Sequence, residues 1–286
     1  MTVIRRRPLG VLAAIGASVA VAATFGLVPP KAQAFYVIHH EEITRHALPA
    51  DQVTEEAMVQ ILVGPPPGAG AVGSDAYASE AFRHLDNSIT PVDVCARAKQ
   101  AWDTFYPVLL SGSKRAGAGL ADGAAARAAF GGLLHAQQDF YAHSNWVEDN
   151  IAARDLNRLA PPIFPACNPA DFPPDLHTGY YDIAFSSQFP LDGCPPGGPP
   201  PGFQECHSTL NKDGPTSERG RQPVPGTPMN MFDLAAQLAT TATTNLYSQL
   251  RGMVAQANGN DAANLLFTTG GPPWVLPELA KVYPGI

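Results

Sequence analysis

No Gly-x-Ser-x-Gly elbow, no Gly-x-x-x-x-Gly-Lys-Ser/Thr loop and no His-Glu-x-x-His pair occurs in the 286 residues. These gaps remove the signatures of elbow-serine hydrolases, phosphate-loop nucleotidases and helix-borne metallopeptidases. No serine is marked out as a nucleophile. Cysteine is scarce, at four, and no Cys-x-x-Cys spacing exists, which argues against a thiolate zinc site. Alternating strand runs are few and internal repeats are absent. Beyond the first 34 residues no apolar run is long enough to span a membrane. Basic residues are outnumbered, 18 against 25 acidic. The first 34 residues hold four of the basic ones (Arg5, Arg6, Arg7, Lys31) and no acidic one, so the remainder has 14 against 25, a balance of −11. Such a surface repels a bulk polyanion, which argues against binding along a nucleic-acid backbone. A small anionic group could still be drawn to a local cationic centre such as a metal.

Residues 1–34 read as an export signal: Arg5–Arg7, an apolar run through about Val28, then the small-x-small site Ala32-Gln33-Ala34. The paired arginines keep a twin-arginine route open beside the general one. Cleavage after Ala34 leaves 252 residues, enough for a single domain, with an extracellular or cell-envelope destination. An oxidising destination and an even cysteine count imply two disulfides among Cys95, Cys167, Cys194 and Cys206. At least one bridge is expected among the last three, which share a loop-rich region; the partner of Cys95 is open.

Helical periodicity covers His39–Leu48, Val53–Val63 with Thr54 as N-cap, Val92–Leu110, Gly123–Glu148 and Met231–Ala257. Gly64–Gly73 is loop, and Asp75–Ser88 mixes loop with short helix. Residues 160–230 are dense in Pro and Gly and too long for an ordinary connection, so they read as an irregular excursion pinned by disulfides. The expected fold is mainly α: a helical bundle with one large insertion.

Chemistry concentrates in "HAQQDFYAHSNWVE", His135–Glu148. Residues four apart share a helix face, so His135, Asp139 and His143 form one stripe. Imidazole and carboxylate are common metal ligands, and burying them unpaired would cost several kcal/mol. "FRHLDNS" adds His84 and Asp86, and Asp75 stands nine residues before His84. His46 and His177 read as solvated surface residues. Asp75 can equally be a helix N-cap, and Glu148 either supports a histidine or is solvated.

The order of an N-terminal His, an Asp, a His, then His-x-x-x-Asp followed by His resembles the zinc-dependent phospholipase C and single-strand nuclease superfamily. Within it, "HEEITRHAL", "FRHLDNS", "GGLLHAQQDFYAHSNWVE" and "CHSTLNKD" resemble the Het-C family over about residues 35–270. The resemblance implies the zinc-phospholipase C type of helical fold and a cluster of one to three zinc ions. It places the amino group and carbonyl of Phe35 at the cluster once the signal is removed. It makes His40 the first-helix ligand, with His39 as the alternative, and Asp75 both ligand and general base. It adds His84 and His135 as ligands, Asp139 as a bridging carboxylate, and His143 as the opening of a second metal position.

The family pattern then breaks. A further His and an acidic residue, four apart, are expected at the start of a late helix. Here Phe232 stands where the His belongs and Asp233 is a substitute at most. His207, Asp213, His177 and Asp182 lie in the excursion as other sources of ligands. The implied function is hydrolysis of a phosphoester, phospholipid suiting the acidic surface better than nucleic acid. The alternative is a non-catalytic exported protein of the same fold, whose metal is structural and which acts in recognition, assembly or peptide maturation.

Overall fold

A computed structural model describes residues 37–114, 120–186 and 193–271. The export signal and Phe35 lie outside them. Ten helices appear among the described residues: α1 (Val37–Ala47), α2 (Glu55–Leu62), α3 (Ala81–His84), α4 (Pro91–Ser113), α5 (Leu120–His143), α6 (Trp146–Ala153), α7 (Ile183–Ser186), α8 (His207–Leu210), α9 (Met231–Asn258) and α10 (Asn260–Thr268). Single 3₁₀ turns lie at Gly73–Tyr77 and Pro169–Asp171. Strand pairing among the described residues is limited to isolated bridges. The mainly α expectation therefore holds.

Local signals account for where the long helices begin. Thr54 caps α2 by accepting from the Ala57 N–H. Reciprocal capping boxes open α4 (Thr90 with Asp93, then Pro91) and α9 (Asn230 with Asp233). The centre of the bundle is α5, which packs against α4, α9, α2 and α3. From Ala126 to His143 its residues are buried on every side, including Phe130, Leu133, Leu134, Phe140 and Tyr141. A helix buried all round needs no polar face. Five of its polar residues, Arg127, His135, Gln138, Asp139 and His143, are instead each matched to a specific partner.

The Gly64–Gly73 loop lies directly on α5. A Cβ on Gly68 would sit 2.2 Å from the Ala129 nitrogen, and one on Gly131 would sit 1.9 Å from the Ile61 oxygen. Gly68, Gly70 and Gly73 carry dinucleotide-fingerprint spacing, yet no strand precedes them. Close backbone packing explains Gly68 and Gly70, whose Cβ would meet α5 and Leu62 respectively. The same approach brings the Ala71 carbonyl over α5, within reach of His135.

The single helix expected over Gly123–Glu148 is two helices. α5 ends at His143, and Ser144–Asn145 break the chain before α6. Polar side chains compete with the helix here. Ser144 Oγ accepts from the Trp146 N–H, and Asn145 Oδ1 accepts from the His177 N–H. The Ser144 carbonyl is taken by Lys212 Nζ at 3.0 Å. Asp75 is not an N-cap: it lies inside the 3₁₀ turn Gly73–Tyr77 and is buried.

The excursion is pinned as expected, and the pairing is now fixed. Cys95 on α4 bonds Cys167, and Cys194 bonds Cys206; no described cysteine is free. On a chain-entropy basis, sequence separations of 72 and 12 correspond to about 4 and about 3 kcal/mol. Two disulfides fit an extracellular protein. No described helix is long and apolar enough to cross a membrane.

Candidate metal centre

The stripe on α5 is met from several directions. α1 brings His40, the 3₁₀ turn brings Asp75, and the end of α3 brings His84. Ligand atoms of His40, His135 and Asp139 lie within 4.8 Å of one another, as do those of Asp75, His84 and His135. Asp139 is the hub. Its Oδ2 is 2.9 Å from His135 Nε2 and 2.9 Å from His84 Nδ1, while Oδ1 is 3.2 Å from His40 Nε2 and 3.9 Å from His143 Nε2. Bond lengths near 2.0–2.1 Å set neighbouring nitrogen and oxygen ligands of a tetrahedral ion about 3.3–3.4 Å apart, close to these spacings.

Hydrogen bonds decide which ring nitrogens face inward. His135 Nδ1–H donates to the Ala71 carbonyl at 2.7 Å, leaving an Nε2 lone pair toward Asp139. Burial, with His40 and His84 beside it, lowers the His135 pKa to about 3, so the ring is neutral. Gln138 donates its amide to the Thr44 and Thr243 hydroxyls, so its oxygen accepts from His40 Nδ1–H at 2.6 Å. His40 Nε2 therefore also presents a lone pair to Asp139. His84 Nδ1 lies 3.0 Å from His135 Nε2 and 2.9 Å from Asp139 Oδ2 and can serve that side with a proton, whereas the facing lone pairs of His40 Nε2 and Asp139 Oδ1, 3.2 Å apart, call for a cation between them. Asp75 makes the same demand: it is buried, and neither carboxylate oxygen has a hydrogen-bond partner among the described residues. Burial, reinforced by Asp139 and Asp213, holds its pKa well above the usual carboxylate range.

A second position lies at the C-terminal end of α5. Ligand atoms of Asp86, His143 and His207 fall within 4.8 Å of one another. Asp213 stands beside them, 3.1 Å from His143 Nε2 and 3.3 Å from His207 Nε2. Burial opposes charge on His143, but Asp86, Asp139 and Asp213 outweigh it and hold the ring well above the ordinary imidazole range. His207 likewise rises to about 9, burial being outweighed chiefly by Asp86. Burial also works against the charge of Asp139, yet His135, His143 and His40 keep it well below the usual range. A cation entering the second position must displace protons from these rings.

The other expected contributors are elsewhere. Asp233 is exposed and spends its carboxylate on the α9 cap, accepting from the Asn230 N–H at 2.9 Å. The Phe232 ring lies tilted against that of His39, centroids 4.5 Å apart, and His39 Nδ1 meets Glu42 on the surface, so His40 is the first-helix residue that faces the cluster. Asp182 caps α7 through the Ala184 N–H. His177 is buried rather than solvated: its Nδ1–H donates to the Asp175 carbonyl, and its ring belongs to none of the three ligand groups. Glu148 meets no histidine; it pairs with buried Lys212 at 3.1 Å and with Arg219 at 3.0 Å. His46 is exposed, as expected. The two carboxylates that complete the second position, Asp86 and Asp213, were legible only as the "HLD" and "CHSTLNKD" fragments. Nothing in their spacing places them together.

The fold and site thus define a mainly helical, disulfide-linked domain whose buried His/Asp clusters could hold a metal ion. Residues 111–162 match the family model of the VWA7 N-terminal domain. That segment contains His135, Asp139 and His143. No curated protein and no solved structure matches the chain.

Proposed function

We propose that this chain is an exported, zinc-dependent phosphoester hydrolase of the phospholipase C type, related to the Het-C family. The observation that carries the reading is the convergence of Asp75, Asp86, Asp139 and Asp213 with five imidazoles in one buried cluster, where neither oxygen of Asp75 has a hydrogen-bond partner among the described residues. Four buried acidic side chains gathered among five imidazoles fit more than one divalent cation far better than a protein interior without one. Bound zinc supplies hydroxide near neutral pH and charge to clamp phosphoryl oxygens. His40, Asp75, His84, His135 and Asp139 would hold it at the first position, and His143, His207 and Asp213 at the second. The amino terminus created at Phe35 completes the first set in this reading.

The chain's own residues do the rest. Ala71 and Gln138 fix the ring orientations of His135 and His40, so neither ligand must reorganise during turnover. Asp75 keeps in this reading the role that the family resemblance gives it, ligand and general base for an attacking water. The acidic surface disfavours long polyanions and suits a phospholipid headgroup better than nucleic acid.

One observation favours a second reading. All the side-chain ligands named here are buried, His40, His135, Asp139 and His143 completely, as in a closed structural site. In that reading the ions hold the domain together, and the protein acts in recognition, assembly or peptide maturation.

The deciding experiment takes zinc-loaded protein beginning at Phe35 and assays phosphatidylcholine vesicles and single-stranded DNA. Hydrolysis of the vesicles that His135→Ala abolishes supports the enzyme. Bound zinc with turnover of neither substrate supports the structural reading.

A further inference from the structure

Two carboxylates flank the rings of His143 and His207, one on each side. Asp86 lies 3.1 Å from His143 Nδ1 and 3.3 Å from His207 Nδ1. Asp213 lies on the opposite edges, against Nε2 of both. By distance alone either could be the ligand, but a third group breaks the symmetry. The His84 carbonyl is 3.1 Å from His143 Nδ1. A carbonyl only accepts, so His143 Nδ1 carries the proton. Its ligating nitrogen is then Nε2, on the Asp213 side, which also faces Asp139.

The backbone around Asp86 is built to hold it there. Leu85 and Asn87 both have positive φ, 51° and 60°, a conformation that residues other than glycine adopt only when the surroundings hold them in it. Surrounding hydrogen bonds over-determine the turn. The Asp86 N–H donates to the Ala81 carbonyl, the Asn87 N–H to Gly179, and the Asn87 amide to Tyr181. The Thr178 N–H donates to the Ser88 carbonyl. A strained turn kept in place by this many bonds gives Asp86 one orientation, toward the two Nδ1 atoms.

We propose that Asp86 is not a metal ligand but a positioning carboxylate, which accepts Nδ1–H from His207 and lies against the Nδ1 edge of His143, whose Nδ1–H goes to the His84 carbonyl, so that both Nε2 atoms are aimed at the ion beside Asp213. One carboxylate thus faces two ligands, one from α5 and one from the excursion, with the His84 carbonyl sharing the work at His143. The inference rests on the metal reading above, and its test separates the two.

The probe is zinc alone, added to the full mature chain of the wild type, Asp86→Asn and Asp213→Asn, with bound zinc measured after gel filtration and by competition with a chelator. Asp86→Asn is expected to keep the wild-type stoichiometry at saturating zinc while the second position weakens about 10–100-fold, the usual effect of removing a ligand's hydrogen-bond partner. Asp213→Asn is expected to lose one equivalent outright. In ¹⁵N-histidine NMR of the zinc-loaded wild type, His143 and His207 should show a protonated Nδ1 and a metal-bound Nε2. That measurement decides even if a variant fails to fold. Loss of a full equivalent in folded Asp86→Asn, or metal-bound Nδ1 in either ring, overturns the proposal and leaves the metal reading intact. A wild type that binds no zinc removes both.

Discussion

The two ends of the α5 stripe are built in different ways. At His135 and Asp139 the partners come from short, regular elements near the N-terminal end: α1, the 3₁₀ turn and α3. At His143 the partners are Asp86 from a left-handed turn, and His207 and Asp213 from the disulfide-bonded excursion. The first end is held by helix packing and the second by a lattice of individual bonds. Gly179 is a junction of that lattice. Its N–H donates to the His143 carbonyl, its own carbonyl accepts from Asn87, and the next residue pairs with Glu205 and His207. Lys212 is another, with its buried ammonium donating to the Ser144 and Leu210 carbonyls and to Glu148. Local changes should therefore damage the second end while sparing the first.

Gly179→Ala should have the largest effect. The added Cβ would lie 2.5 Å from the His207 Cα, a backbone contact that cannot yield cheaply. Overpacking of this kind costs about 1–3 kcal/mol, and here the displacement moves a ligand. The expected result is loss of one zinc equivalent with the other retained, read by metal analysis. Equal loss of both would mean that the two ends are a single unit.

Lys212→Met comes next. It removes a buried cation, leaving two carbonyls and part of Glu148 without their donor, although Glu148 keeps Arg219. Breaking a buried pair from one side costs about 3–5 kcal/mol; with Glu148 partly exposed and still paired, about 2 kcal/mol is expected from denaturant unfolding of the metal-free protein. A change under about 0.5 kcal/mol, the level of an ordinary surface substitution, would show that Lys212 does not hold the excursion.

Asp233→Ala should do least. Losing half of a capping box costs about 1 kcal/mol or less, and zinc content should not change. A variant that lost a zinc equivalent would restore Asp233 to the cluster.

The same contrast explains what could be read in advance. His135, Asp139 and His143 were visible because four-residue spacing becomes one face only in a helix, and the apolar residues around them imply a helix. α1, α2, α4 and α9 were visible through the same period and through caps such as Thr54. The end of α5 was not, because Ser144 and Asn145 leave the helix for partners on the excursion, Thr178 and His177, and on Lys212. His207 and Asp213 could be suspected from their chemistry but not placed, since their position depends on Cys194–Cys206, on Gly179 and on the turn at Asp86. Asp233 misled for a physical reason: an acidic residue three positions after Asn230 is also what a capping box requires.

The most direct measurement is the zinc content of metal-replete wild-type protein after exhaustive dialysis, set beside His135→Ala and Asp213→Asn. At least two equivalents are expected in the wild type, with the two variants each losing zinc from a different end. A folded wild type that retains no zinc, or whose only zinc is lost equally in both variants, would contradict a two-position centre.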